Sequence, residues 1–496
     1  MKKTLLSLIA LLTLSGLYAQ DITDAYRYSS EELTGTARFR AMSGAFGALG
    51  GDMSSLNINP AGSAVFLNSF ATLTLDFRNS KNDVNFFNGF TSSENDDFNL
   101  NQAGGVLVFN STTQSPWKKF VIGLNYAETN NFEDSFVASG INSNSIDDYF
   151  LGYADGVPLE LLETRENETI TDLYSYLGES EGYGAQQAFL GYQAFVIDPE
   201  TTDLDNTSYT SAIGAGSFDQ DFALVSTGLN GKFTFNFGTQ YGDNIYLGAN
   251  LNAHFLNYDR STRFREANNN SGSTITNLEF RNNLSTTGDG FSFQLGAIGK
   301  VSDMVRLGLS YESPTWYSIY EESTQYIRTN EATVNPNVVN VYPEYTLKTP
   351  GKATGSLALI FGNEGLLSFD YSYKDYSNTQ FRPKNDPDFQ LKNNDISNRL
   401  QAVSAFRIGG EYRLDQFSFR GGYRYETSPY KDESTVGELN SFSAGLGYNF
   451  GSVKLDLAYT NTQFDENRPL YQVGLTDTAN ISRDLSSVVL SLSFGL

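Results

Sequence analysis

Four arginines in the second half of the chain are candidates for binding an anionic group: Arg306, Arg407, Arg420 and Arg424. Each lies in a stretch where apolar residues occupy alternate positions, and each falls on the other, polar face. An inward-facing arginine can bind a carboxylate through two parallel hydrogen bonds. These side chains are therefore candidates for holding the carboxylate head group of a fatty-acid-like ligand.

Acidic side chains on the same polar faces allow a second interpretation of these arginines. Charges in a protein interior need partners, so the arginines could instead form ion pairs within the interior or hold an internal segment in place. Both interpretations stay open from the sequence. The acids concerned are Glu312, Asp370, Glu411, Glu426 and Asp456.

The end of the chain indicates which elements position these residues. Val488, Leu490, Leu492 and Phe494 fall on one face of a strand, and small or polar residues fall on the other. One apolar face and one small polar face with a period of two predict a transmembrane β-strand. In such a barrel the apolar face contacts lipid, so the arginines point into the lumen.

The amino terminus predicts export from the cytoplasm. Lys2 and Lys3 precede an apolar run from Leu5 to Leu17 that ends in Tyr18-Ala19. This pattern predicts a signal peptide over residues 1–19. The chain has no cysteine, which excludes a lipid-anchored amino terminus and any disulfide.

Composition also favours a barrel over several soluble domains. The 496 residues include 45 Gly, 30 Tyr and 37 Phe but only 12 Pro, which suits lipid-facing strands joined by glycine-containing turns. The formal net charge of −24 argues against nucleic acid as a partner. Much of the acid lies between the predicted strands and is expected in solvated loops.

The alternation predicts fourteen antiparallel strands joined by six tight turns and seven longer connections, the asymmetry of periplasmic turns and external loops. We therefore predict an all-β fold, a 14-stranded transmembrane β-barrel over residues 69–496. The predicted strands are 70–78, 98–110, 119–135, 219–237, 244–267, 287–301, 304–327, 343–361, 365–378, 398–414, 416–428, 437–450, 452–464 and the carboxy-terminal segment.

One external connection, 136–218, is long enough to have structure of its own. Ile146, Tyr149, Phe150 and Tyr153 follow helical spacing. A connection of this length inside a compact fold is rarely without structure. We expect short helices over the mouth of the barrel.

Residues 20–68 fit no strand pattern and predict a small compact segment. Gly44, Gly47 and Gly50 allow close packing against a barrel wall, and Asp52 is placed to cap a helical turn. The glycines favour a segment that fills the lumen over one that hangs in the periplasm.

The residues of this segment resemble a known family. The stretch from Gly35 to Asp52, followed by Asn57-Ile58-Asn59-Pro60-Ala61-Gly62, closely resembles the amino-terminal plug of the FadL-type outer-membrane transporters for long-chain fatty acids and other hydrophobic compounds. The Asn59-Pro60-Ala61 triplet is the most specific part of the resemblance. The motif covers about thirty residues, and the strand count extends the likeness along the chain.

The resemblance implies a bacterial outer-membrane barrel with the plug inside its lumen. A hydrophobic molecule would enter from the external loops, occupy a pocket in the lumen and leave when the plug shifts, sideways through a gap in the wall. Asn59, Pro60 and Ala61 would hold the plug in place. Transport would be passive, with no cofactor or energy source, and the partners would be outer-membrane lipid and the hydrophobic ligand.

The sequence gives little support to an enzyme. It has no cysteine and one histidine, His254, whose neighbours Asn250 and Asn252 suggest a hydrogen-bonding role in the lumen. A Ser–His site around His254 stays open, but no serine motif accompanies it. Acidic clusters at Asp147-Asp148 and 198–205 lack the ligand spacing of a calcium loop, so no metal site is predicted.

A second function class stays open beside transport. Some relatives of the FadL type look like accessory barrels that dock protein partners in secretion or assembly complexes. The external loop 136–218 suits either a ligand groove or a docking surface. A filled lumen with an exposed apolar loop patch would favour docking.

Overall fold

The chain forms a closed antiparallel barrel in the computed structural model, which describes residues 22–112 and 114–495. The predicted signal peptide, 1–19, lies outside the described residues. The barrel strands are β1 Phe70–Phe86, β2 Gly89–Asn110, β3 Trp117–Asn131 continued by Asp134–Asn142, β4 Phe218–Tyr241, β5 Ile245–Ala267, β6 Asn277–Lys300, β7 Val305–Glu312 continued by Trp316–Thr329, β8 Tyr345–Lys348 continued by Lys352–Phe361, β9 Gly365–Asp375 continued by Gln380–Arg382, β10 Ala402–Leu414, β11 Phe417–Glu426, β12 Leu439–Asn449, β13 Val453–Pro469 and β14 Thr478–Gly495.

Closure of the barrel is direct, because the first strand pairs with the last. β1 and β14 are in register from Phe70↔Gly495 to Asn85↔Asn480. Each other strand pairs with its neighbours in the sequence. The predicted fold, a 14-stranded antiparallel barrel, is confirmed. No described helix is long and apolar enough to cross a membrane.

The first hairpin differs from the prediction. The connection between the first two strands was expected to be a long loop, but β1 and β2 pair up to Phe86↔Gly89 and turn through two residues. The stretch 79–97 alternates like a strand, but its outward face is mostly polar, with Asn79 and Lys81 there and Phe90 as an apolar exception. Since this part of the hairpin lies beyond the lipid, its outward face has no reason to be apolar.

Strand β5 shows where the lipid ends. Its outward residues are apolar and exposed at Ile245, Leu247 and Leu251, and become polar from Asn257 onward. The remainder of the strand, up to Ala267, therefore extends outside the membrane on the side of the long connections.

The amino-terminal segment occupies the lumen as a plug. It contains the helices α1 (Ile22–Ser29) and α2 (Ala37–Ala41) and two 3-10 helices, Met53–Asn57 and Pro60–Val65. Its charged residues meet the inner wall: Arg38 Nε binds Glu411 at 2.8 Å and Arg40 Nη1 binds Asp76 at 2.5 Å. On β9, Asp370 accepts hydrogen bonds from the backbone of the plug.

A cap of three helices covers the extracellular mouth: α3 (Asp147–Ala154), α4 (Ile170–Ser180) and α5 (Tyr183–Gln193). Phe150 and Phe189 from the cap belong to one apolar cluster with Phe264 and Phe280 from the upper ends of β5 and β6. The cap is therefore packed onto the barrel rather than projecting from it. A further helix, α6 (Pro387–Arg399), lies in the connection between β9 and β10.

A buried carboxylate joins the cap to the barrel. Glu266, beyond the lipid on β5, accepts hydrogen bonds from Ser145 Oγ at 2.6 Å, Ile146 N at 3.1 Å and Gln220 Nε2 at 2.8 Å. Burial raises the pKa of Glu266 to about 7, against an ordinary value near 4.5, although the three hydrogen bonds oppose this shift. The folded protein thus retains this proton at a pH where the unfolded chain has lost it.

This site makes the attachment of the cap pH-dependent. Because the folded pKa lies above the unfolded one, stability falls as the pH rises from about 4.5 to about 7, by roughly 3 kcal/mol in all. The Glu266→Gln variant keeps the polar contacts without the charge, so its cap should resist proteolysis at pH 8 better than the parent cap. Glu166→Gln, an exposed change on the cap, serves as the control. Equal pH profiles for Glu266→Gln and the parent would contradict the assignment.

Candidate ligand site in the barrel lumen

Asn59 fixes the lower part of the plug to the wall. Its Oδ1 accepts from Ala61 N at 3.1 Å and so caps the 3-10 helix that begins at Pro60. Its Nδ2 donates to Gly47 O within the plug at 2.7 Å and to Ala297 O on β6 at 3.0 Å. The Asn59-Pro60-Ala61 triplet thus lies where two plug segments meet the wall.

Glycines on the wall allow this close contact. A Cβ at Gly296 would lie 2.0 Å from Asn59 Oδ1, and a Cβ at Gly248 would lie 2.3 Å from the carbonyl carbon of Pro60. Neither distance is compatible with any other residue at these wall positions unless the plug moves. The backbone of the wall therefore lies directly against Asn59 and Pro60 of the plug at this level.

The four arginines singled out from the sequence lie on the inner wall, where they contact acids and the plug. Arg420 binds Glu411 and Asp456, both at 2.6 Å. Arg424 and Arg407 both bind Glu426, at 2.7 Å and 3.4 Å respectively. Arg306 donates a hydrogen bond to Leu49 O of the plug at 3.2 Å.

These contacts determine which of the arginines could bind a ligand carboxylate. Three of the four are paired with acids, and binding a ligand carboxylate there would require the existing pair to break. Arg306 has a neutral partner but does not line a cavity described below. Of the four, only Arg424 lines the cavity in the lumen.

That lumen cavity, of about 250 Å³, lies between the plug and the inner wall. Its lining mixes charges with apolar and aromatic surface. The charges face each other in pairs, such as Arg78 with Glu32 at 2.6 Å and Arg483 with Asp134 at 2.7 Å. Its apolar lining consists of Tyr26, Leu33, Phe132, Val436, Tyr258, Tyr376, Leu439, Phe464 and Leu485.

Next to this cavity, β2 and β3 separate. Their register runs from Asn110↔Lys119 up to Gln102↔Ala127 and ends there. Above that level β3 is bulged and interrupted before Asp134. Side chains bridge the two strands instead, as in the 2.7 Å hydrogen bond from Asn131 Nδ2 to Asp97 Oδ2.

The plug covers this separation from inside. Glu32 N donates to Thr129 O at 2.9 Å and Thr34 Oγ1 donates to Glu128 O at 2.5 Å. Gly35 N donates to Oδ1 of Asn101, the bulge residue of β2, at 2.6 Å. The plug segment Glu32–Gly35 therefore occupies the edge of β3 that β2 leaves free.

A second cavity, of about 360 Å³, lies beneath the cap and is called the vestibule here. Cap residues Tyr149, Tyr153 and Tyr183 line it from above, and Thr23 of α1 lines it from below. Thr23 and Arg468 line both the vestibule and the lumen cavity. The two cavities are therefore neighbours along the axis of the barrel.

Sequence comparison assigns the family. Residues 202–492, more than half of the chain, match the family described as outer membrane protein transport protein (OMPP1/FadL/TodX). The chain belongs to this family. No curated protein sequence matches the chain.

Solved structures show the same fold as this FadL-family chain. The crystal structure of a Pseudomonas aeruginosa FadL homologue superposes with a TM-score of 0.56 at 13% identity, covering 94% of this chain and 99% of that one. The Pseudomonas putida toluene transporter TodX gives a TM-score of 0.50 at 15% identity, covering 94% and 100%. The chain is thus a bacterial outer-membrane barrel of a transport family.

His254 of this FadL-family barrel is part of a buried polar layer. Its Nε2 lies 2.8 Å from Ser292 Oγ and its Nδ1 lies 3.3 Å from Tyr317 OH. Ser292 also accepts from Asn252 Nδ2 at 3.1 Å. Ser292 is fully buried, so a substrate could not reach this Ser–His pair without a rearrangement of the wall and plug.

Two residues important to the vestibule were not recognised in the sequence. Arg468 lies beyond 464, where the alternation of the thirteenth predicted strand ends, because β13 continues into the extracellular region up to Pro469. Tyr471 lies in the connection that follows. Phe464 and Leu470 are apolar and lie four residues before and two residues after Arg468. All three would fall on one face of a strand, so this spacing could have indicated that the strand is longer.

Proposed function

We propose that this barrel lets hydrophobic small molecules, including long-chain fatty-acid-like ones, cross the outer membrane passively. The supporting observation is the plug segment Glu32–Gly35, which covers the separation of β2 and β3 beside a lumen cavity. Displacement of this segment would join the cavity to the outside of the wall. The Pseudomonas putida toluene transporter TodX, which has the same fold, points to the same class of ligand.

The proposed route begins under the cap. A ligand would pass from the vestibule to the lumen cavity between Thr23 and Arg468, which belong to both linings. From the lumen cavity it would leave between β2 and β3 at the level of Asn131. Leu100 and Phe98 on the outward face of β2 are exposed there, so an apolar ligand would emerge beside lipid-facing surface.

Arg424 is proposed to contact a ligand head group in the lumen cavity, because it lines that cavity. Its partner Glu426 is shared with Arg407, so Glu426 would keep one arginine if Arg424 turned toward a ligand. Arg306, Arg407 and Arg420 are proposed to hold the wall and the plug. Asn59, Pro60 and Ala61 are proposed to hold the plug at β6.

Gentle purification from the native membrane tests this function. Mass spectrometry of the purified protein would identify both its lipids and its protein partners. A stoichiometric fatty acid or another apolar small molecule, without protein partners, would support transport. A stoichiometric protein and no enriched small molecule would instead favour the accessory barrel that docks partners.

Uptake gives a second test that does not depend on tight binding. Cells that lack their own transporter would be supplied with this chain, and the initial uptake of radiolabelled oleate and toluene would be measured. We expect uptake above that of cells carrying an empty vector for at least one of them. If cells that express the protein at their surface took up both compounds no faster than cells carrying the empty vector, the proposal would be contradicted.

A further inference from the structure

The vestibule has a charge opposite to that of the chain. Its lining includes the cationic side chains Arg260, Lys392 and Arg468, and none of its described lining residues is acidic. The whole chain carries a formal net charge of −24. A cationic enclosure within so acidic a protein favours an anionic occupant.

Arg468 is the cation that is available in this enclosure. Among the described residues it forms no ion pair, and its guanidinium lies 5.5 Å from the ring centre of Phe136. Glu466, on the same face of β13, is bound by Arg483 at 2.7 Å. A guanidinium in a wall of this kind has its hydrogen-bonding capacity left for a ligand.

Six further lining residues of the vestibule are aromatic, beside polar side chains such as Asn282 and Gln325: Tyr149, Tyr153, Tyr183, Phe222, Tyr342 and Tyr471. The ring centres of Tyr149 and Tyr471 lie 4.8 Å apart, those of Tyr149 and Tyr153 5.1 Å apart, and those of Phe222 and Tyr471 6.1 Å apart. The hydroxyl of Tyr471 is buried and has no hydrogen-bond partner in the described part of the chain. Such a set of rings offers both faces and edges to another ring.

We propose that the vestibule is a binding site for an aromatic carboxylate, with Arg468 on the carboxylate and the tyrosine rings against the aromatic group. The volume of about 360 Å³ lies at the small end of the range for ligand pockets. The inference rests on the proposed transport function, since it names the class of ligand that the route would accept first.

Binding to the purified full-length chain in nanodiscs tests the site. Equilibrium dialysis would compare 2-naphthoate with the neutral 2-naphthalenemethanol, which has the same ring system. We expect 2-naphthoate to bind at least tenfold more tightly, and Arg468→Gln to weaken 2-naphthoate at least tenfold while leaving the neutral compound unchanged. Arg468→Lys keeps the charge and should keep most of the affinity.

The controls separate the ligand site from general damage. Arg165→Gln removes an exposed cation of the cap (68% exposed side chain) and should change nothing. Tyr471→Phe removes the unpartnered hydroxyl and should weaken 2-naphthoate severalfold. Heat-modifiability on gels would verify that every variant forms a folded barrel.

Three results would overturn the proposal: equal affinity for the two naphthalene compounds, an unchanged affinity in Arg468→Gln, or oleate bound more tightly than 2-naphthoate through Arg468. The third would assign the site to an acyl carboxylate. If 2-naphthoate bound in dialysis but cells took up neither oleate nor toluene, only the transport function would be refuted. If uptake was observed but 2-naphthoate did not bind, only this site would be refuted.

Discussion

Replacing Glu411 by alanine should destabilise the protein more than any other single change to the inner wall described here. Glu411 binds Arg38 of the plug at 2.8 Å, Arg420 of β11 at 2.6 Å and Arg413 of its own strand at 2.5 Å. Its removal leaves buried guanidinium groups without their common anion. Loss of one partner from a buried ion pair costs about 3–5 kcal/mol, so the temperature at which the folded band disappears on gels should fall markedly.

The plug should be affected more than the wall. Arg420 keeps Asp456, but Glu411 is the acid that Arg38 contacts. Limited proteolysis should therefore cut the plug before the barrel in Glu411→Ala. The double variant Arg38→Ala/Glu411→Ala should recover part of the loss, because it removes the cation that lacks a partner.

Glu364→Ala in the exposed turn between β8 and β9 is the matched control. It removes the same side chain at a position open to solvent and should have little effect. If Glu411→Ala behaved like Glu364→Ala in both assays, the ion-pair network would not hold the plug.

The fold could be predicted because lipid imposes a strict pattern on the outward face of each strand. In β14 the alternation of Val488, Leu490 and Leu492 with small residues defines the strand and its orientation. The rule stops working where the strand leaves the lipid. Between Asn79 and Phe86 of β1, both faces of the strand lie in polar or protein-covered surroundings. Alternate residues are therefore no longer apolar, and the period of two cannot be recognised from hydrophobicity.

The site was less predictable, because strand alternation gives the direction of a side chain but not its partner. Alternation correctly placed Arg420 and Glu411 on the inner wall, yet it could not show that Arg38 from the plug shares that acid. Nor could it show that β3 loses β2 above Ala127. Both features depend on the plug, whose position is set by contacts distant in sequence.

Movement of the plug is the step on which the proposed route depends, and the absence of cysteine makes it open to cross-linking. Ser43 of the plug and Ser443 of β12 have their Oγ atoms 2.7 Å apart. Changing both to cysteine also removes the hydrogen bond from Ser443 Oγ to Ala41 O at 3.0 Å, which the covalent link replaces. A disulfide needs a sulfur–sulfur distance of about 2.05 Å, which small adjustments of these side chains can supply. The oxidised Ser43→Cys/Ser443→Cys protein should therefore carry a plug that cannot leave the wall.

We expect hydrophobic uptake through the oxidised double variant to fall at least tenfold and to recover on reduction with dithiothreitol. Thr354→Cys/Ser372→Cys is the matched control, since its hydroxyl groups lie 2.9 Å apart on neighbouring strands of the wall. That cross-link joins wall to wall and should not change uptake. Full uptake with a complete Ser43–Ser443 cross-link would show that Glu32–Gly35 opens the β2–β3 separation by itself, because residues on the amino-terminal side of α2 can move while Ser43 is fixed.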